Sequence, residues 1–167
     1  MIGLHQVTKI TMICSTTLFK NIYDNKTNNR LDFDNFQSFE SVLYKLAERP
    51  IASKTDAPLM SPAIYQPDTT RANDNVIEWA GWAAVDVDEH VFKGNLENEL
   101  SILYGRWYYI CYSTASSTVA HPKFRLVFPL AEAVSRDRIR KFWYALQTEL
   151  QSIGDRQTKD LSRMYYV

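Results

Sequence analysis

The amino-acid sequence predicts an α+β fold, and three observations carry the prediction. From Trp82 to Val167, apolar runs and helical spacings follow one another as β-α-β-β-α-β, the ferredoxin-like or RRM-like order. Ahead of that stretch lie one strand-like run and one amphipathic helical stretch, enough for a small αβ module. The chain has 167 residues and is 46% hydrophobic, so it can bury a sizeable core. Residues 1–167 are therefore read as a single domain, with a module over 1–75 packed on a core over about 76–167.

In chain order, Val7 to Cys14 reads as a strand, rich in Thr and Ile. Asn- and Asp-rich turns follow. Asp34 is expected to cap a helix reaching about Arg49, with Phe39, Val42, Leu43 and Leu46 on one face and Pro50 as its stop. Residues 51–75 hold Pro58, Pro62 and Pro67 without helical spacing and are expected to pack as a long loop lining a cleft. Residues 82–88 form the next strand, and Asn95 and Gly105 bracket a short helix bearing Leu96, Leu100 and Leu103. Residues 107–114 and 124–130 read as strands separated by a hydroxyl-rich loop. Ser135 is placed at the start of the longest helix, with Ile139, Phe142, Leu146, Leu150 and Ile153 at helical spacing and Gly154 ending it. Residues 163–167 form a last strand.

Charge and cysteine content narrow the function classes. The net charge is zero, which excludes a purely electrostatic nucleic-acid coat. Acids dominate residues 1–104, fourteen to nine, and cations dominate 105–167, ten to five, which allows a basic face opposite an acidic site. Cys14 and Cys111, both read as buried thiols, are too few for a disulfide framework or a structural zinc site. No signal peptide or membrane-length apolar run is visible, so a soluble cytoplasmic protein is expected.

The candidate chemistry begins at Asp86 and Asp88. Strand alternation puts both on one face, with only Val87 pointing away. Two carboxylates side by side repel unless a cation sits between them, and hard divalent ions take carboxylate oxygens. In a ferredoxin-like sheet the 124–130 strand lies beside these acids, the fourth strand flanks the first, and the turn Gly154–Arg163 leads back towards them. That turn offers Asp155 as a third carboxylate. Three such acids would bind two Mg²⁺ or Mn²⁺ ions, which activate a hydroxyl nucleophile and steady a leaving phosphate.

On these residues the chain resembles the archaeo-eukaryotic primase superfamily, particularly the primase–polymerases (PrimPol type) of phages and plasmids. A hydrophobic strand ending in Asp-x-Asp is matched by Val85-Asp86-Val87-Asp88, and an acid followed by polar residues and an Arg before a strand by Asp155, Thr158, Asp160 and Arg163. Between them the family carries a Ser-x-His nucleotide motif. Here Tyr112 to Thr118 and His121 to Leu130 correspond, with Ser117 at the histidine's position. The resemblance covers about residues 50–167. It implies Asp86, Asp88 and Asp155 as catalytic metal ligands. It implies a triphosphate held by Arg163 and the 113–125 segment, with Ser113, Ser116, Ser117, His121, Lys123, Arg125 and Lys159 as candidates. Either His121 replaces the missing histidine or the hydroxyl loop holds the phosphates alone; one of Lys123 and Arg125 faces the cleft.

The function expected is template-directed nucleotidyl transfer on single-stranded DNA template and primer, using nucleoside triphosphates. A metal-dependent nuclease, or a replication-initiator or nucleotide-binding module with a decayed site, is the alternative. Structural readings stand beside these. Asp155 can simply follow a helix end, Asp160 is read as bracing its turn, and His90 as solvated. The four tryptophans are read as core, and Arg136, Arg138, Arg140 and Lys141 as a solvated helix face or a template contact. Because residues 163–167 end within a strand pattern, the chain is expected to be part of a longer replication protein, with a helicase following.

Overall fold

The computed structural model describes residues 13–50 and 52–167. The first strand, β1, spans Cys14–Phe19, so most of the strand expected from Val7 lies outside the described residues. β1 is almost wholly buried although it contains Ser15, Thr16 and Thr17, because each hydroxyl finds an acceptor: Asp32 Oδ1, the Ser61 carbonyl and the Ala63 carbonyl. β2 (Arg30–Phe33) pairs antiparallel with β1. α1 spans Phe36–Ala47 and is capped by Asn35, not Asp34, whose side-chain oxygen accepts from the Ser38 N–H at 2.9 Å.

Residues 51–75 are not a structureless loop. They contain β3 (Leu59–Ser61) and β4 (Ala63–Tyr65), three residues each, too short to declare a period in the sequence. Pro62 separates them and sends the chain from one sheet to another. β3 pairs with β1, while β4 pairs with β5 (Val76–Trp79). Gly81 then turns the chain into β6 (Trp82–Val87) at φ 82°; a Cβ there would lie 2.8 Å from the Ile13 carbonyl oxygen, so both conformation and space call for glycine.

α2 (Leu96–Tyr104) is capped by Asn95 and closed at Gly105, as expected. β7 (Ile110–Ser113), β8 (Phe124–Pro129), β9 (Val134–Ser135), α3 (Ile139–Glu149) and β10 (Tyr165–Tyr166) complete the chain. Ser135 belongs to β9 and bonds Asp137 instead of capping α3, and α1 is one residue longer than α3. Gln151 and Ser152, both with positive φ, end α3 before Gly154 is reached.

The antiparallel sheets run β10-β3-β1-β2, β4-β5-β9 and β6-β8-β7. The last reproduces the expected order of the first three core strands. The fourth departs from expectation: β10 pairs with β3, not β6. The free edge of β6 is closed by other donors, the Tyr165 hydroxyl on the Ala84 carbonyl at 2.9 Å and the Asp155 N–H on the Asp86 carbonyl at 2.8 Å. With that edge satisfied, β10 is available to join the N-terminal sheet.

The β6-β8-β7 sheet is packed on both faces. Trp82 and Ala84 meet Phe39, Leu43 and Tyr165 on one side. Val85, Val87 and Leu126 meet Leu100, Tyr104 and Leu150 on the other. Trp79, Trp82 and Trp143 are core, as expected, and Trp107 is half-buried. Among the described residues no helix is long and apolar enough to cross a membrane.

Candidate functional site

The alternation that buries Trp82 and Ala84 carries the same face of β6 onward to Asp86, and there the core gives way to a cavity of about 660 Å³. The register fixes what surrounds Asp86. It lies opposite Arg125 on β8, which in turn lies opposite Tyr112 on β7, so three polar side chains form one row across the sheet. Arg125 Nε donates to Asp86 Oδ1 at 2.5 Å, and its Nη1 donates to the Tyr112 oxygen at 2.8 Å and to the Tyr166 carbonyl. The guanidinium also sits 4.9 Å from the centre of the Tyr165 ring.

Asp86 and Arg125 are only 8% and 5% exposed, so neither charge could stand there alone. Burial works against Arg125's charge, but Tyr112 and Asp86 outweigh it and hold the group firmly protonated. Burial pushes the Tyr112 and Tyr165 hydroxyls up, and Asp86 adds to both shifts. Arg163 approaches the second Asp86 oxygen at 3.7 Å.

Asp88, one residue past β6, is half-exposed and faces Lys123 at 3.5 Å. Asp155 is held next to Asp86 by its backbone hydrogen bond, while its carboxylate caps a 3₁₀ turn over Arg156–Thr158 by accepting from Gln157 N–H. All three acids line the cavity, together with Asp160, Arg125, Arg163, Ser113 and Ser116.

Other expected residues fall elsewhere. Ser117 does not line the cavity; its hydroxyl accepts from the Lys123 N–H and braces the loop. His121 is exposed outside the cavity, its N–H bonded to Thr118 Oγ1. Of the pair at the start of β8, Arg125 faces the cavity and Lys123 does not, although Lys123 reaches Asp88. Lys159 lines a different cleft. His90 is half-buried, not solvated, with Nε2 3.0 Å from the Pro122 carbonyl and its ring stacked on Phe92. Cys111 is exposed.

The structure adds three cations that the sequence reading missed: Arg49, Lys54 and Arg71, all on the cavity wall. They follow no period, and Arg71 lies well beyond Arg49 and Lys54 in sequence, so only the fold brings all three to one cavity. With Arg125 and Arg163 they outnumber the four acids of the wall. Such a lining, with cations in excess and carboxylates among them, suits a polyanion.

The acids are right in kind for a hard divalent ion. Their spacing is not that of a finished cage: among the described residues, no three Asp, Glu, His or Cys side chains converge on one point. Asp86 is occupied by Arg125 instead. No family model, curated protein or solved structure matches this chain.

Proposed function

We propose that the cavity is the site of template-directed nucleotidyl transfer, the activity of a DNA primase–polymerase. The observation that supports this reading is the meeting of Asp86, Asp88 and Asp155 with Arg163, Ser113 and Ser116 around one cavity, from three separate stretches of chain. The cations Arg49, Lys54, Arg71 and Arg163 would hold and orient a nucleoside triphosphate. Ser113 and Ser116 would donate to its phosphate oxygens, without a histidine. Arg125 would act as a positioning residue, fixing Asp86 by a buried hydrogen bond. Mg²⁺ or Mn²⁺, held by Asp86, Asp88 and Asp155, would supply the Lewis acidity that activates a primer hydroxyl and stabilises departing pyrophosphate. Single-stranded DNA would be template.

The second reading is a nucleotide-binding module without turnover. It is favoured by one observation, the engagement of Asp86 by Arg125 in place of a converged acid cluster. Incubation with a primed single-stranded template, nucleoside triphosphates and Mg²⁺ or Mn²⁺ separates the readings. Extension is expected. Degradation would indicate a nuclease, and nucleotide binding with no product would indicate the module.

A further inference from the structure

Asp86 faces two guanidiniums, and they are held very differently. Arg125 takes Oδ1 and is fixed on several sides: its side chain is 6% exposed, it also bonds the Tyr112 oxygen and the Tyr166 carbonyl, and it lies over the Tyr165 ring. Arg163 stands against Oδ2 at 3.7 Å, beyond hydrogen-bond distance, and its side chain is 29% exposed. Its Nε has no partner among the described residues, and its guanidinium lies 6.0 Å from the centre of the Tyr165 ring.

The chain around Arg163 does not share this looseness. The Ser162 N–H and hydroxyl both bond Asn73 Oδ1, and the Tyr165 hydroxyl bonds the Ala84 carbonyl. Movement at Arg163 is thereby confined to its side chain. Oδ2 is the carboxylate oxygen that Arg125 leaves for a further ligand, and Arg163 stands beside it. A cation on Oδ2 would meet the guanidinium charge in a partly buried wall, where like charges repel strongly. The repulsion is relieved if Arg163 turns to an anion. A phosphate group suits it, because phosphate oxygens match the guanidinium fork and Ser113 and Ser116 line the same cavity.

We infer that Arg163 is an autoinhibitory gate on the acid site: it screens Asp86 from divalent cations until a phosphate-bearing ligand draws it away. Cation and phosphate are then each bound weakly alone and tightly together. The inference rests on the reading of Asp86, Asp88 and Asp155 as metal ligands. Such coupling is reciprocal, so each ligand raises the affinity for the other by the same factor.

The test measures Mn²⁺ binding from the loss of the free ion's paramagnetic resonance signal, with sulfate standing in for phosphate and chloride matching the ionic strength. The parent should bind Mn²⁺ weakly in chloride and about ten-fold more tightly in saturating sulfate. Arg163→Gln should bind Mn²⁺ about ten-fold more tightly than the parent in chloride and gain nothing from sulfate. Equal affinity of parent and Arg163→Gln in chloride overturns the gate. Loss of that binding in Asp88→Asn would then leave the metal reading standing, and its persistence would remove that reading too. No Mn²⁺ binding by parent or variant, in chloride or in sulfate, removes the metal site and the gate with it. Should Arg163→Gln fail to fold, the parent decides alone: a Mn²⁺ affinity indifferent to sulfate overturns the inference.

Discussion

On one side of the 154–163 turn, buried polar groups complete one another: Asp86 with Arg125, Arg125 with Tyr112 and the Tyr166 carbonyl, Tyr165 with the Ala84 carbonyl. Other buried polar atoms have no partner among the described residues: Nε of Arg71 and Arg163 in the cavity wall, and the Gln147 amide and Trp143 indole N–H on α3. The difference separates two uses of burial. In the cavity wall, paired charges fix one arrangement of side chains and place Asp86. On α3, the unpartnered Gln147 amide and Trp143 N–H are enclosed by the core, where they cost stability. Substitutions that break the paired row should therefore lower stability, whereas replacing an unpartnered buried amide by an apolar side chain should not.

The largest effect is expected at Arg125. Arg125→Met leaves Asp86 buried without its partner, and breaking such a pair costs about 3–5 kcal/mol. Denaturant unfolding should show that loss, and adding Asp86→Asn should recover part of it. A loss too small to measure would mean that the two charges are solvated and the hub has no structural role. The pair also reverses an expectation from the sequence: adjacent Asp86 and Asp88 suggest relief of repulsion when neutralised, but Asp86→Asn alone strands the Arg125 charge.

Gly154 sits where the two regions meet. A Cβ there would lie 2.3 Å from Val85 Cγ1 and 2.4 Å from the Gln147 amide nitrogen. Gly154→Ala should therefore destabilise by about 1–3 kcal/mol, the usual cost of overpacking. Wild-type stability would show that both Val85 and Gln147 give way freely here.

Tyr165→Phe removes only the hydroxyl that closes the β6 edge, leaving the Ala84 carbonyl without that donor. About 1 kcal/mol of stability should go, with Tm as the readout. No change would imply that water replaces the hydroxyl.

The smallest effect is expected at Cys14, buried in the core and lining neither cavity. Burial raises its thiol to about 11 from an ordinary 9.0. The folded state thus holds this proton more tightly than the unfolded one. Its contribution to stability is complete below pH 9 and lost as pH rises towards 11. Parent and Cys14→Ala should diverge only across that window, the parent falling faster. Parallel curves would contradict the burial.

From residue 82 onward β6, β7, β8, α2 and α3 were legible, because Trp82 to Val87 and the α3 spacing are long enough to show a period, whereas the two-residue β9 was taken for the start of α3. β3 and β4 were not, being three residues each. The pairing of β10 with β3 was hidden as well, because a two-residue strand is placed by what closes β6, not by its own pattern. In the site, the Asp-x-Asp alternation led to Asp86, and the turn order to Asp155. The Asp86–Arg125–Tyr112 row needs the register of three strands, and no local pattern gives that. Arg49, Lys54 and Arg71 reach the wall through the N-terminal fold. Ser117 and His121 occupy a loop whose internal hydrogen bonds decide which hydroxyls face the cavity.

The most direct test of the cavity as a nucleotidyl-transfer site is the primer-extension rate of Asp88→Asn against the parent, with Mg²⁺ or Mn²⁺. Asp88 is half-exposed and only loosely paired with Lys123, so its loss should leave folding and Tm unchanged. Extension by the parent and loss of at least about a hundred-fold in the variant is the predicted result, the order of effect for one electrostatic contact made in the transition state. Equal extension by the two proteins, or none by a folded parent with either metal, would contradict the assignment.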